Sequence, residues 1–271
     1  MKKIIYATDY SMNSVAALKY ADYLGKMLQS DVIALHVYSP SEEEGGKVES
    51  RKHHQEKLLE YCKKYLKEGF SEAEISVAAV KGKNVPHAIL DFVRDMDVQM
   101  IIMGSCGTST LKELLVGSTT KELIQISHFP ILAVPPDQQP GKIAQVLFAS
   151  TLEDEDIAYL LDVTTMLSPI NARIKVVHIT HKDGETAQKA LEDFRIKVEK
   201  RISYELLEYE SIHSPHVYET LQKTIDETRP DMVVIGEHPE KSEINKVIKR
   251  DKVKKMQSCT KVPILTLPAL I

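Results

Sequence analysis

Several features of secreted, membrane-spanning and nucleic-acid-binding proteins are missing from this sequence of 271 residues. Its three cysteines, Cys62, Cys106 and Cys259, form no CxxC pair, which argues against a disulfide framework and indicates a reducing compartment. No apolar run approaches the roughly 20 residues that cross a bilayer, and no signal-peptide core precedes the first predicted strand. The net charge of −4 disfavours a generally basic binder of nucleic acid or membrane surfaces. We therefore expect a cytoplasmic protein with neither a membrane nor a nucleic acid as its partner.

The sequence also lacks common motifs for phosphate, metal and covalent chemistry. Neither GxxxxGKS/T nor GxGxxG occurs, so lysine-assisted P-loop chemistry and a dinucleotide fingerprint are both disfavoured. The pairs His53 with His54 and His213 with His216 have no cysteine or carboxylate at a zinc-site spacing, and we expect these histidines at the surface. No Ser-His-Asp order or paired-carboxylate spacing stands out. We therefore predict no catalytic residue and no protein-bound metal.

The chain repeats one pattern at a spacing of about 140 residues, which suits two domains of about 135 residues each. Apolar runs typical of fully buried strands open the halves at 3–9 and 144–150, and a helical pattern follows each run. A second apolar run then carries His36 in the first half and His178 in the second. This shared histidine sets the register in which the two halves correspond.

Strand and helix patterns alternate through both halves and predict two tandem α/β domains. Each domain would be doubly wound, with helices on both faces of a parallel five-stranded sheet and right-handed crossovers. The proline-rich stretch 135–141 is the natural linker, which gives domains at 1–137 and 142–271. Ser11 is a candidate cap of the first helix. Among the other predicted elements are helices at 55–67, 85–95, 187–201 and 217–228 and strands at 74–80 and 203–208.

Glycines and hydroxyl residues cluster after the fourth strand of the first half. Gly104 and Gly107 are followed, nine residues later, by Gly117, Ser118 and Thr119. In parallel sheets ligands bind beyond the carboxyl ends of the strands, and glycine lets a phosphate approach the backbone there. The N-terminus of the following helix favours an anion. Each residue alone also fits an ordinary strand end or helix cap, so the prediction of a polyphosphate site depends on the combination.

This spacing resembles that of the universal stress protein family, whose nucleotide-binding members carry Gly, two residues, Gly, nine residues, Gly, and then Ser or Thr. The resemblance covers nearly all of 1–137, and a weaker version covers 142–271. It therefore implies a tandem member with a Rossmann-like fold similar to that of the adenine nucleotide alpha hydrolases. In relatives the final strands pair across a two-fold axis. The two domains of this chain would make that pseudo-two-fold contact themselves, and a homodimer of chains is a further option.

The adenine end of the site is implied mostly by the resemblance. Asp9 and Val37 would meet the adenine, and backbone groups around Ala7 and Thr8 would lie beside it. For Asp9, the residues leave an alternative open, because this aspartate also fits a cap on the helix that begins near Ser11.

At the phosphate end, the resemblance places two residues, Met103 and Gly104, along the ribose and the α-phosphate. The residues that would hold the phosphates are Gly107, Gly117, Ser118 and Thr119. Mg²⁺ would bridge the phosphates without protein carboxylates. The resemblance thus implies an ATP-binding stress-response regulator. Because no general base stands out, we expect slow ATP hydrolysis at most.

The second half departs from the pattern. Pro239 replaces the second glycine and removes an N–H donor, and Thr151 falls where the first half has Asp9. Glu237 and Glu240 would bring negative charge near any phosphate. We expect this half to keep the fold without an ATP site, and its basic run at 246–255 to be a solvated helix face. The loss of one copy keeps an alternative function open, an interaction scaffold of the same fold that binds no nucleotide.

Overall fold

The computed structural model describes residues 2–40, 47–67, 70–71, 74–105, 118–238 and 261–270. The chain divides into two compact units, Met1–Pro140 and Gly141–Ile271, which we call unit 1 and unit 2. No helix within the described ranges is both long enough and apolar enough to cross a membrane.

Unit 1 is a parallel sheet with helices on both faces. Its strands are β1 (Lys3–Ala7), β2 (Asp31–Tyr38), β3 (Ile75–Lys81), β4 (Val98–Gly104) and β5 (Ile131–Val134). Its helices are α1 (Ser14–Leu28), α2 (Lys47–Leu66), α3 (Val85–Val93) and α4 (Ser118–Ile126). The strands pair in the order β3-β2-β1-β4-β5, and all these pairs are parallel. The order reverses at β1, as the prediction of a doubly wound sheet requires.

Unit 2 repeats this arrangement. Its strands are β6 (Gln145–Ser150), β7 (Arg173–Thr180), β8 (Leu207–His213), β9 (Met232–Gly236) and β10 (Ile264–Leu267). Its described helices are α5 (Asp154–Leu167), α6 (Gly184–Glu199) and α7 (Val217–Thr228). Its strands pair in the order β8-β7-β6-β9-β10, again all parallel. The predicted class, two tandem α/β folds with five-stranded parallel sheets, is confirmed.

The central strands are buried on both faces because helices cover each side of the sheet. In β1 the side chains of Ile4 and Ile5 are both fully buried, although successive side chains point to opposite faces. Ile5 joins the cluster that packs against α3 and α4, to which Ile89 and Leu123 also belong. On the other face, the Tyr6 hydroxyl donates to a backbone oxygen of α1. Both faces therefore hold the end of β1 in place.

Several boundaries differ from the sequence prediction, including those of α1, α2 and the third strand of unit 2. Helix α1 begins at Ser14 with Asn13 as its N-cap, so Ser11 does not cap it. Helix α2 begins at Lys47, before the predicted residue 55. The third strand of unit 2 begins at Leu207 instead of residue 203, because its pairing partner β7 sets the register. The preceding Tyr204 belongs to the approach to that strand, where its hydroxyl donates to the Ala172 carbonyl at 2.6 Å.

Candidate functional site

The topological switch point of unit 1 lies between β1 and β4. These strands are neighbours in the sheet, and the chain leaves β1 for α1 on one face and β4 for α4 on the other. A crevice at the carboxyl ends of two such strands is the usual ligand site of an open α/β sheet. Ala7 and Thr8 lie on one side of this crevice, and Met103 and Gly104 lie on the other.

The turn after β1 is held by hydrogen bonds that engage every polar group of Thr8. The Thr8 amide donates to Leu35 O at 3.0 Å, and its Oγ1 accepts from the Tyr10 amide at 3.0 Å. Its carbonyl oxygen lies 2.9 Å from Nδ1 of His36. Tyr10 adopts a left-handed backbone conformation with φ of 62°, which turns the chain sharply. Thr8 therefore shapes the crevice while its hydrogen-bonding groups are used within the protein.

Asp9 stands at the outer edge of the same turn with its side chain exposed. Its Oδ1 accepts from the Ser11 amide at 2.9 Å, so the carboxylate closes the turn that precedes α1. Asp9 does not occupy the N-cap position, which belongs to Asn13. Asp9 therefore does not cap the helix, as the alternative interpretation of the sequence had it, but closes the turn just before it.

Ser14 is the centre of a buried network that the sequence motifs do not indicate. Its hydroxyl lies 2.9 Å from Thr8 Oγ1 and 2.9 Å from the hydroxyl of Tyr61 on α2. It also donates to Ser11 O at 2.8 Å, and its own carbonyl accepts from Tyr6. Burial raises the pKa of both tyrosines, so they are neutral hydrogen-bonding groups at physiological pH. The network fixes the turn that carries Asp9 against both helices of this face.

The other side of the crevice brings the end of β4 close to two helices. A Cβ added at Gly104 would lie 2.9 Å from Asn13 O, so glycine permits the close approach of α1. Thr120 Oγ1 donates to Gly104 O at 3.1 Å and ties the first turn of α4 to the strand. Ser118 is exposed at the start of that helix, and Thr119 is half-buried. An anion near Gly104 would therefore face the positive end of the α4 dipole.

The remaining predicted residues divide into two groups. Val37, near the end of β2, is half-buried and packs against the core on the α3–α4 side. Gly107 and Gly117 lie outside the described residues, as do Cys106, Pro239, Glu240 and the basic run 246–255. The structure thus brings the described part of the predicted site to one edge of the sheet.

A hydrogen bond links the N-cap residue of α3 to the middle of α4. The Asn84 side chain caps α3 by accepting from the His87 amide at 3.0 Å. Its Nδ2 group donates to Glu122 Oε1 of α4, also at 3.0 Å. This hydrogen bond therefore fixes the start of α3 against α4, the helix whose first turn contacts Gly104. This link has no signature in the sequence beyond the cap residue itself.

In the corresponding place of unit 2, a large side chain covers the end of the strand. A Cβ added at Gly236, the counterpart of Gly104, would clash with the ring of Tyr159 on α5. Unit 1 has the small Ala17 where Tyr159 stands. The Tyr159 hydroxyl also donates to the Glu237 carbonyl. The end of β9 is therefore more closely covered than the end of β4.

The histidines that might have suggested a metal do not assemble into a centre. Within the part of the chain that the structure describes, no group of three or more histidine, cysteine or acidic residues could hold an ion. His53, His213 and His216 are exposed as expected. The expectation for His54 was wrong: only 6% of it is exposed, because its ring stacks on Tyr38 at 4.3 Å.

Comparison with known proteins shows the family of the chain. The model of the family described as "Universal stress protein family" matches residues 1–135. Universal stress protein MJ0577 of Methanocaldococcus jannaschii is 30% identical over 152 residues, which cover 49% of this chain and 94% of that protein. The chain belongs to the universal stress protein family. Universal stress protein YxiE of Bacillus subtilis is 29% identical over 144 residues, which cover 49% of this chain and 97% of YxiE.

Solved structures of family members share the fold over the whole chain. A universal stress protein from Archaeoglobus fulgidus matches with a TM-score of 0.69 at 15% identity, covering 98% of each chain. A putative universal stress protein from Pseudomonas aeruginosa matches with a TM-score of 0.68 at 16% identity, covering 99% of this chain and 93% of that one. At these identities the similarity establishes the fold alone. The ligand chemistry of this universal stress protein depends on its own residues.

Proposed function

We propose that unit 1 binds an adenine nucleotide, ATP with Mg²⁺, in the crevice at the ends of β1 and β4. The observation that carries this proposal is the attachment of the α4 N-terminus to Gly104 through Thr120. This contact sets exposed helix-start groups beside a strand end where a side chain has no room. The start of α4 favours a phosphate at this end of the strand, because its free N–H groups and its dipole attract an anion.

The phosphate end of the proposed site joins these contacts to the glycine motif. Met103 and Gly104 would line the ribose and α-phosphate, and Ser118 and Thr119 would offer hydroxyl and amide donors to the phosphates. Gly107 and Gly117 complete the motif in the sequence and lie outside the described residues. Among the residues whose placement is described, no acidic cluster stands ready to bind a cation. The phosphates themselves would therefore supply the charged ligands of Mg²⁺.

The adenine end of the proposed site is formed by β1 and β2. Ala7 and Thr8 would provide a rigid backbone wall, since the polar groups of Thr8 are already engaged. Val37 would offer apolar contact to the base. Asp9 remains exposed while one of its oxygens closes the turn, so we assign its other oxygen, Oδ2, to hydrogen bonds from the nucleoside.

We infer that the protein acts as a nucleotide-dependent regulator of the stress response, with slow ATP hydrolysis at most. Membership of the family supports the regulatory role. A cytoplasmic location belongs to the same proposal. It agrees with the state of Cys62, the described cysteine, which is a free and buried thiol. The pairing of the two domains and a homodimer of chains stay predictions.

Isothermal calorimetry with ATP and Mg²⁺ on the full chain tests the proposal. We expect Gly117→Leu to abolish the binding heat, because a bulky side chain would exclude a phosphate from the loop. Gly141→Leu is the matched control, since a Cβ at Gly141 meets nothing within 4 Å. Equal ATP affinity of the wild type and Gly117→Leu would refute the assignment of the loop.

A thermal-shift measurement gives an independent reading. At about 100 times the Kd, a ligand stabilises the folded state by about 2.7 kcal/mol. We expect ATP with Mg²⁺ to raise the melting temperature of the wild type by the amount that corresponds to this stabilisation. The melting temperature of Gly117→Leu should not change. If the wild type shows neither heat nor shift, and purified protein carries no nucleotide by mass spectrometry, the alternative of an interaction scaffold is favoured.

A further inference from the structure

Unit 2 holds a buried ion pair at its own switch point. Asp156 lies on α5, which follows β6, and His238 lies two residues after the end of β9. Strands β6 and β9 are neighbours in the sheet, as β1 and β4 are in unit 1. The distance from His238 Nε2 to Asp156 Oδ1 is 2.9 Å. The pair therefore spans the crevice that corresponds to the proposed nucleotide site.

The carboxylate of Asp156 is an internal ligand of the turn after β6. Its Oδ2 accepts from the amides of Thr151 and Leu152 at 2.7 and 3.1 Å. The same oxygen accepts from the hydroxyls of Ser150 and Thr151 at 2.8 and 3.0 Å. Four donors thus converge on one oxygen, as donors do around a bound anion. At this turn of unit 2, the carboxylate of Asp156 takes the place that a bound anion would occupy.

Both members of the pair are removed from water. The side chain of Asp156 is 0% exposed and that of His238 is 4% exposed. A counter-charge stabilises a carboxylate at such depth in addition to its four donors, because taking an ion out of water is unfavourable. Protonated His238 provides that charge from the β9 side of the crevice. Its ring also meets the ring of Tyr159 edge-on, with centroids 5.6 Å apart.

The corresponding turn of unit 1 has a similar backbone, but a serine stands where unit 2 has the buried carboxylate of Asp156. Tyr10 and Leu152 occupy equivalent left-handed positions, with φ of 62° and 63°. The strand-two histidines His36 and His178 bind the carbonyls of Thr8 and Ser150 at 2.9 and 3.0 Å. When the halves are aligned through these features, Ser14 falls at the position of Asp156. A neutral hydroxyl in unit 1 is thus replaced by a carboxylate in unit 2.

We propose that Asp156 and His238 form a proton-sensitive latch that closes the crevice of unit 2, so that this unit responds to pH instead of to a nucleotide. Protonation of His238 completes the ion pair and ties the end of β9 to the turn after β6. Loss of that proton leaves Asp156 without a counter-charge in a buried place, which weakens the tie. The proposal concerns unit 2 alone and does not depend on ATP binding by unit 1.

The charges around His238 favour its protonated form. Burial lowers the pKa of His238, but the adjacent carboxylate of Asp156 outweighs burial and raises it above the ordinary value. The charges of Glu155 and Glu153 at the start of α5 act in the same direction. Tyr159 is neutral, since mainly burial raises its pKa to about 12. The carboxylate of Glu237 precedes His238 in the chain.

The pKa of His178, a second histidine that feels the charge of Asp156, is lowered. Burial lowers the pKa of His178 on β7, and the hydrogen bond to the Ser150 carbonyl and the charge of Asp156 only partly offset this effect. His178 is therefore the neutral partner of the Ser150 carbonyl, and His238 is the histidine whose proton completes the latch. The latch should hold at mildly acidic pH and loosen as pH rises through the raised pKa of His238.

A histidine NMR titration of the full chain tests this assignment directly. We expect wild-type His238 to titrate above the ordinary histidine value. In Asp156→Asn, which keeps an acceptor oxygen and removes the charge, we expect the pKa of His238 to fall by about one unit or more, a tenfold change in proton affinity. His238→Gln assigns the resonance, and the exposed His216→Gln serves as the control. An unchanged pKa in Asp156→Asn would overturn the latch.

Hydrogen exchange at the amides of Thr151 and Leu152 tests the opening and needs no variant. After correction for the intrinsic pH dependence, we expect protection of these amides to fall by about tenfold between about pH 6 and pH 9. The amides of Asp9 and Tyr10 in unit 1, which lack the ion pair, should show no comparable change. Protection that is independent of pH in the wild type would contradict the proposal, whether or not Asp156→Asn folds.

Discussion

Alanine substitutions at Asp156 and at Ser14 should differ strongly in their cost, although the two residues occupy equivalent places. Asp156→Ala removes the acceptor of four hydrogen bonds and the carboxylate that faces His238. Breaking a buried ion pair in this way typically costs about 3–5 kcal/mol. Ser14→Ala removes a neutral hydroxyl from the network of Thr8 and Tyr61, and an unmade buried hydrogen bond costs about 1–3 kcal/mol.

The difference between the two costs should depend on pH in a defined direction. Because the pKa of His238 is raised in the folded state, its stabilising contribution is fully present below the unfolded value, about 6.5, and is lost as pH rises through the raised value. The cost of Asp156→Ala should therefore be largest near pH 6 and smaller near pH 9. The cost of Ser14→Ala involves no group that titrates in this range and should stay constant.

Hydrogen exchange with mass spectrometry, in a urea series on the full chain, measures both costs. Peptides from the two units are read separately, so the method does not require the whole chain to unfold in one step. Asp156→Asn is the control that keeps an acceptor oxygen and removes the charge. If Asp156→Ala costs unit 2 no more than Ser14→Ala costs unit 1, or if its cost is equal at both pH values, the ion pair does not stabilise the crevice as argued.

Three further outcomes are expected. Gly236→Ala should cost about 1–3 kcal/mol in urea unfolding, since its Cβ would clash with the Tyr159 ring, whereas Gly141→Ala, in open space, should be nearly neutral. The Cys62 thiol, whose pKa is raised to about 12 by burial, should resist iodoacetamide at about pH 8 until the protein is unfolded, as read by mass spectrometry of its peptide. Asn84→Ala should destabilise unit 1 by about 1 kcal/mol in the same urea assay, because the first turn of α3 loses its cap.

For each of these three predictions, one result would contradict the reasoning. A neutral Gly236→Ala would mean that Tyr159 moves away without cost. Rapid native labelling at Cys62 would mean that α2 opens readily. An unchanged stability in Asn84→Ala would mean that water satisfies the helix start equally well.

The fold was predictable because its signals are local and repeated. Buried strands appear as apolar runs, and the alternation of strand and helix leaves few topologies. His36 and His178 correctly indicated the register of the repeat, since both bind a carbonyl at the end of the first strand of their unit. Boundaries were less accurate where tertiary contacts decide them, as at Leu207, where pairing with β7 sets the start of the strand.

The supporting contacts of the crevice were not predictable in the same way. Ser14 meets Tyr61, and Asp156 meets His238, across separations for which no sequence spacing is diagnostic. The alignment of the two halves would have shown that a serine in one copy corresponds to an aspartate in the other, which is the one signal available. His54 was misjudged because its burial depends on stacking against Tyr38, a contact that composition does not reveal.

The ring of Tyr159 over Gly236 has a consequence for protein engineering. Grafting the glycine loop of the first copy into the second would not recreate an open pocket, because the obstruction belongs to the helix that follows β6. A duplicate ligand site would need Tyr159→Ala and Asp156→Ser as well, restoring the small residues Ala17 and Ser14 of the first copy. The two copies thus differ both in the glycine loop and in the helix that follows the first strand. Restoring a ligand site in unit 2 would take changes in both at once.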